Sequence, residues 1–336
     1  MNESACITDM NLYEHHRHNW MLDHNGALDG FTCPHGEVVA REAANYEPIK
    51  AHTLIPGHIE ALVLTNDNRL PLGASINANK KHYAAVTQCA VDEAIAFVSR
   101  LFSVSLGEVR VYLVKSAVMS PASAGAVYSN GVKHHIVVVP ETSYDPTGVL
   151  VAQLAIAAHY TLMREKPGLA AMISDPLTQA MVAHFAVLTF AAQNPTRCSV
   201  MQHLQQLVTW EFAKGLSKTP ETPMGFVVSD LGEQLMKAYG GGMFRAVMQE
   251  LYESMTHGKA IYFGCNNFNG MALALALLGD EQGMTRFMKI DTGDRKLADK
   301  LFDAFPGLNM QGIAGFQGLF NERLEAIIAG VATEAA

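Results

Sequence analysis

Between Asp145 and Asn194 the chain carries two long apolar stretches, each opened by an acid and a proline: DPTGVLVAQLAIAAHYTLM and DPLTQAMVAHFAVLTFAAQN. The aspartate accepts hydrogen bonds from the free amides of a first helical turn, and proline at the first helical position gives up an N–H that has no partner there. Each stretch is therefore predicted to be a helix, the first halted at Pro167-Gly168 and the second at Asn194-Pro195. No charged side chain occurs from Pro146 to Met163, and Val149, Leu150, Gln153, Ala157 and Tyr160 fall on different sides of the cylinder. A helix of that kind needs neighbours all round. With 336 residues, 49% hydrophobic and 17% charged, the chain has material for one large core or two moderate ones.

The segments before the pair suggest what surrounds it. IEALVLT (59–65), Asn66-Asp67-Asn68 and RLPLGASI (69–76) read as strand, turn and strand. Ala84 to Phe102 reads as an amphipathic helix with Val86, Ala90, Ala94, Phe97 and Leu101 along one face. VRVYLVK (109–115) is a strand, SPASAGAVYSNG a turn-rich connection, and HHIVVVP (134–140) another strand. The expected fold class is α+β, in three parts: an irregular N-terminal arm over 1–56, a core over 57–194, and a mainly helical C-terminal lobe over 195–336.

From about Val91 to Ala192 this order resembles the core of the zincin metallopeptidases, particularly the gluzincin branch. There the buried helix carries H-E-x-x-H, because two histidines one turn apart hold zinc while the glutamate polarises its water. The matching residues here are Ala155, Ile156, Ala157, Ala158 and His159, so only the second histidine remains. The family's acidic third ligand, in a pattern like E-x-x-A-D-x-F-A, corresponds to Gln179 in QAMVAHFA. Loss of one imidazole, the general base and the acid removes the means of holding and activating zinc-bound water. The resemblance implies the scaffold without its reaction. YGGGMFRAVMQEL (239–251) also looks like the helical C-terminal lobe of gluzincins.

A second stretch, LVLTNDNRLPLGASINANKKHYAAVTQCAVDEA, is similar to the opening of cytidine deaminases. Cys89-Ala90-Val91 stands at their Cys-Ala-Glu, and Ser120-Pro121-Ala122-Ser123-Ala124-Gly125 at their S-P-C-x-x-C. That likeness implies inactivity too, with Ala122 and Gly125 in place of two zinc thiolates and Val91 in place of the proton-shuttling glutamate. It leaves the helices after Asp145 unexplained.

Other residues invite metal chemistry. His159 and His184 are candidates for an altered zinc site, although a single histidine on an apolar helix is more often a hydrogen-bonded core residue. Glu14-His15-His16-Arg17-His18, His24 and Cys33-Pro34-His35, and then His52 and His58, offer imidazole and thiolate at close range. Their spacing fits no defined site, so a solvated polar tail is the expected reading. Of His134 and His135, strand alternation sends one inward. Gly240-Gly241-Gly242 is expected to be a helix-to-helix turn, since no strand precedes it and no Lys-Ser/Thr follows. The methionines of this region, among them Met236, Met243, Met248, Met255, Met271, Met284 and Met288, are expected to fill its core.

The net charge of −8, with no run of Lys or Arg, argues against a nucleic-acid backbone as partner. No apolar stretch has the flanks of a membrane span, MNESACITDM lacks the pattern of a secretory leader, and five scattered cysteines without a C-x-x-C pair suggest reduced thiols, so the cytoplasm is the expected location. The leading expectation is a pseudoenzyme without cofactor that binds another protein or self-associates. One alternative is a metal-dependent hydrolase with relocated ligands, drawing on His159, His184, His134 or His135 and an acid such as Glu141. The other is a structural subunit of a larger assembly.

Overall fold

The computed structural model describes residues 3–37, 62–78, 83–198, 200–218, 223–256, 262–306 and 313–334. In chain order the elements are α1 (Glu3–Asp23), α2 (Asn66–Ala78), β1 (Ala84–Ala85), α3 (Gln88–Leu101), β2 (Arg110–Val114), β3 (Ala126–Asn130) and β4 (His134–Pro140). There follow β5 (Thr142–Ser143), α4 (Pro146–Met163), α5 (Pro176–Gln193), α6 (Val200–Lys218), α7 (Pro223–Val227) and α8 (Asp230–Thr256). The last are α9 (Tyr262–Leu277), α10 (Glu281–Ile290), α11 (Leu297–Ala304) and α12 (Ile313–Glu334). The fold is α+β, with small sheets among many helices.

Two compact units are each built from three stretches of chain. The first comprises Met1–Ile55, His82–Cys198 and Gly279–Leu308, and the second Pro56–Lys81, Ser199–Leu278 and Asn309–Ala336. Gly279–Leu308, expected in a C-terminal lobe, thus belongs to the first unit, and Pro56–Lys81, of which 57–81 is expected in the core, to the second.

In the first unit the sheet order is β2-β4-β3, with β4 parallel to β2 and antiparallel to β3. β4 is buried from His135 to Pro140 because both its faces are covered. Ile136 and Val138 pack against Met21 of α1. Alternation turns Val137 and Val139 the other way, towards the side where α4 packs. Both predicted caps of the apolar pair are present: Asp145 Oδ1 accepts from the Gly148 amide at 2.9 Å, and Asp175 Oδ1 from Leu177 at 2.8 Å. α3 lies against this pair, with Phe97 and Phe190 edge to face at 4.9 Å. α4 is long and apolar enough by composition to cross a membrane, yet 78% of it is buried inside the protein.

Three sequence expectations need correction. Residues 3–23, expected as irregular arm, form α1. Its buried positions Met10, Glu14 and Met21 have helical spacing, but a carboxylate in the middle of the stripe hides the period from any hydrophobic pattern. The strand-turn-strand over 59–76 is instead the helix α2 from Asn66, with 59–61 outside the described residues. Asn68, Leu72 and Ile76 are buried at four-residue spacing, and that burial overrides Pro71 within the helix. The connection SPASAGAVYSNG contains the edge strand β3.

The described elements of the second unit are helical. Leu204, Leu207, Val208 and Phe212 of α6 are buried with Phe226, Tyr239 and Phe244. α8 breaks at Gly240, whose φ of 80° and ψ of 152° suit a residue without a Cβ. A Cβ on Gly73 of α2 would lie 2.4 Å from the Ala238 carbonyl oxygen, so glycine permits the close approach of α2 and α8. Glu211 accepts from Arg69 Nε at 2.9 Å and from the Tyr239 hydroxyl at 2.6 Å. Burial and that carboxylate push the Tyr239 hydroxyl far above its usual pKa.

Candidate functional site

α4 supplies the positions at which a zincin-like site is expected. Ala155 and His159 lie one turn apart and are fully buried, while Ile156 is half-buried beside them. Gln179 is half-buried on α5, and His184 is buried further along the same helix. Among the described residues, neither His159 nor His184 belongs to a group of three His, Cys, Asp or Glu whose donor atoms converge within 4.8 Å.

His159 is instead held by an acid 132 positions downstream. Its Nε2 lies 2.9 Å from Asp291 Oδ2, and the other Asp291 oxygen receives the Lys300 ammonium. Side-chain exposures of 0% for His159, 1% for Asp291 and 4% for Lys300 leave no route for bulk water. The ring N–H does not aim at the carboxylate oxygen, so the His159 contact is an ion-pair distance without a directed hydrogen bond, and Nδ1 of His159 has no hydrogen-bond partner. Burial works to raise the Asp291 pKa, but the imidazole and ammonium beside it outweigh burial and hold the carboxyl below its usual range. Asp175, at the start of α5, is pushed up by burial and by the Asp291 charge. The Gly293 amide donates to the Ala170 carbonyl at 2.8 Å, fixing the turn after Asp291 beside the same end of α4.

At its C-terminus α4 meets α1. Arg164 donates from both terminal nitrogens to Glu14, each at 2.9 Å, and also to the Gly131 and Met172 carbonyls at 3.0 and 3.3 Å. Glu14 accepts in addition from the Gly131 amide at 3.1 Å. The guanidinium and carboxylate are 7% and 8% exposed.

His135 turns inward and His134 outward, as alternation requires. His135 Nδ1 lies 2.9 Å from Ser129 Oγ, and its Nε2 lies 3.0 Å from the Val132 carbonyl, which can only accept, and 2.9 Å from Thr161 Oγ1. Nε2 therefore carries the proton and Nδ1 accepts from the serine. Burial, and then the Arg164 charge, lower its pKa to about 3. Glu141 accepts from the Ser116 amide at 3.0 Å and so ties together the segments that follow β2 and β4.

The deaminase-like positions are dispersed in role. Cys89 is exposed on α3, Val91 is buried in its core, and Ala122 is exposed before β3. A Cβ at Gly125 would fall 2.5 Å from the Val138 carbonyl oxygen, so this backbone has no room there for a thiol side chain. Cys198 donates to Asp145 Oδ2 at 3.1 Å, and burial followed by that carboxylate drives its thiol well above the usual pKa, away from nucleophilic form.

Of the N-terminal histidines, His15, His16 and His18 project from α1; His35 Nδ1 lies 2.8 Å from Asp9 Oδ1, and His24 stacks on Trp20 at 3.9 Å. His52 and His58 lie outside the described residues. Asp291 and Lys300 escaped sequence reasoning, though Lys300 carried a signal: it shares the buried face of α11 with Leu297, Leu301 and Ala304, and a cation on an apolar face needs a partner. No family model, curated protein or solved structure matches the chain.

Proposed function

We propose that the chain is a zincin-like pseudoenzyme of the cytoplasm that acts by binding another protein or by self-association. The observation that carries this reading is the fate of His159. The one histidine retained from the H-E-x-x-H pattern is sealed from solvent and its ring faces a carboxylate already matched by Lys300. A zinc ion needs at least three donors and an open position for water, and here the preceding turn offers only the Ala155 methyl group. The run from α3 through β2, β3 and β4 to the buried pair α4 and α5 supports the scaffold half of the proposal. The free thiols of Cys33, Cys89 and Cys198 suit a reducing compartment.

The test compares untagged protein with a His159→Ala, His184→Ala variant, in proteolysis of unfolded protein substrates with zinc present. No chelator-sensitive cleavage by the parent protein is expected. Cleavage that needs zinc and disappears in the variant overturns the proposal and restores a hydrolase with relocated ligands. Light scattering across concentration, and pull-down with the purified chain as bait, then separate self-association from a distinct partner.

A further inference from the structure

The first unit gathers three imidazoles and a carboxylate where α1 passes the start of β4. His15 and His18 are three residues apart on α1 and so neighbours on one side of it. His134 opens β4, and its ring lies edge to face with that of His18 at 6.2 Å. Glu108 Oε2 sits 3.0 Å from His134 Nδ1, an ion-pair distance without a directed hydrogen bond. Nδ1 of His18 is buried and has no hydrogen-bond partner. Nothing in the packing calls for this arrangement, since the His134 side chain is 57% exposed and His15 is exposed too.

A carboxylate behind an imidazole is the usual support of a metal-bound histidine, because it fixes the tautomer and raises the basicity of the donor nitrogen. We propose that His15, His18 and His134 bind a divalent transition-metal ion of the zinc class, with Glu108 as the positioning residue behind His134. Imidazole nitrogen suits such ions, whereas calcium and magnesium prefer oxygen. Two imidazoles on one tetrahedral ion bring their donor nitrogens to about 3.3 Å, given metal–nitrogen bonds of about 2.0–2.1 Å. The three donors do not converge without the ion. Binding therefore requires the exposed His15 and His134 rings to turn, with His15 leaving its 3.0 Å contact to Asn19. His16 and His35 stack in parallel at 6.5 Å, and the His16 ring lies 6.2 Å from that of His15, so this neighbouring pair is the one to separate from the proposed ligands.

The experiment is zinc titration of the untagged, chelator-stripped full chain by calorimetry, with cobalt(II) substitution to read the ligand field. One saturable site of micromolar or tighter affinity is expected, with a tetrahedral cobalt spectrum. His134→Ala and His18→Ala should each abolish that site with unchanged circular dichroism, and Glu108→Gln should weaken it about tenfold while keeping the spectrum. A His16→Ala, His35→Ala variant should bind as the parent does. Absence of saturable binding at micromolar zinc overturns the proposal. So does binding that survives His134→Ala and His18→Ala, which would place the ion elsewhere.

Discussion

Helix α4 is joined to remote sequence at two places, and the two joints are built differently. At its C-terminus Arg164 meets Glu14 through two parallel hydrogen bonds, and two carbonyls accept further bonds from its terminal nitrogens, which leaves Nε alone without a partner. Five residues earlier His159 meets Asp291, with Lys300 behind it, in a group that balances charge but leaves the imidazole without a directed hydrogen bond. The first joint draws on the planar fork of arginine, which matches a carboxylate in geometry as well as charge; lysine offers only a compact charge. A buried pair is therefore only as secure as its least satisfied atom, and the joint at His159 is the less satisfied one.

Removing the shared acid should have the largest effect. Asp291→Ala strands a buried ammonium and a buried imidazole together, and a loss of about 3–5 kcal/mol is expected in urea unfolding. If the loss is under about 1 kcal/mol, the group is not the clamp described. Glu14→Ala should come next, at about 3 kcal/mol, because Arg164 keeps its carbonyl partners. Selective loss of protection in α1 amides by hydrogen exchange would locate that effect, and uniform loss would contradict it.

The third test moves pH. Folded His135 titrates at about 3 against 6.5 when free, so between those values the unfolded chain takes up a proton that the folded chain refuses. Stability is full above about pH 6.5 and falls as pH drops towards about 3, losing about 2 kcal/mol by roughly pH 5. Denaturation curves of His135→Gln should show a flatter slope in that window. The depressed Asp291 carboxyl contributes stability that is present above 3.8 and lost as pH falls below it, so the two groups separate along the pH axis. The smallest effect belongs to the surface. Arg197 and Glu93 are 54% and 30% exposed, and Glu93→Ala should change stability by about 0.5 kcal/mol or less, with high salt erasing the difference.

What sequence reasoning reached follows from range. The caps at Asp145 and Asp175, the strand at 134–140 and the opposite facing of His134 and His135 all depend on neighbours within a few residues. α1 was missed because Glu14 occupies its buried stripe, tolerable only with Arg164, 150 positions away. α2 was missed because Pro71 argues against a helix until the buried Leu72 and Ile76 outweigh it. Of the candidate site, His159 was singled out as a position, but its partners Asp291 and Lys300 lie beyond the reach of any local period. The return of Gly279–Leu308 to the first unit leaves no local mark in the sequence.

That return sets a schedule for synthesis. When His159 leaves the ribosome, 141 residues must still be made before Lys300 follows. At translation speeds of about 5–20 residues per second the interval is roughly 7–28 s. Throughout it the apolar α4 and α5 wait without α10 and α11, and the first unit is an unfinished nascent chain. A holdase that covers those two helices would have its longest opportunity then, and truncation before residue 291 should leave a product that depends on one.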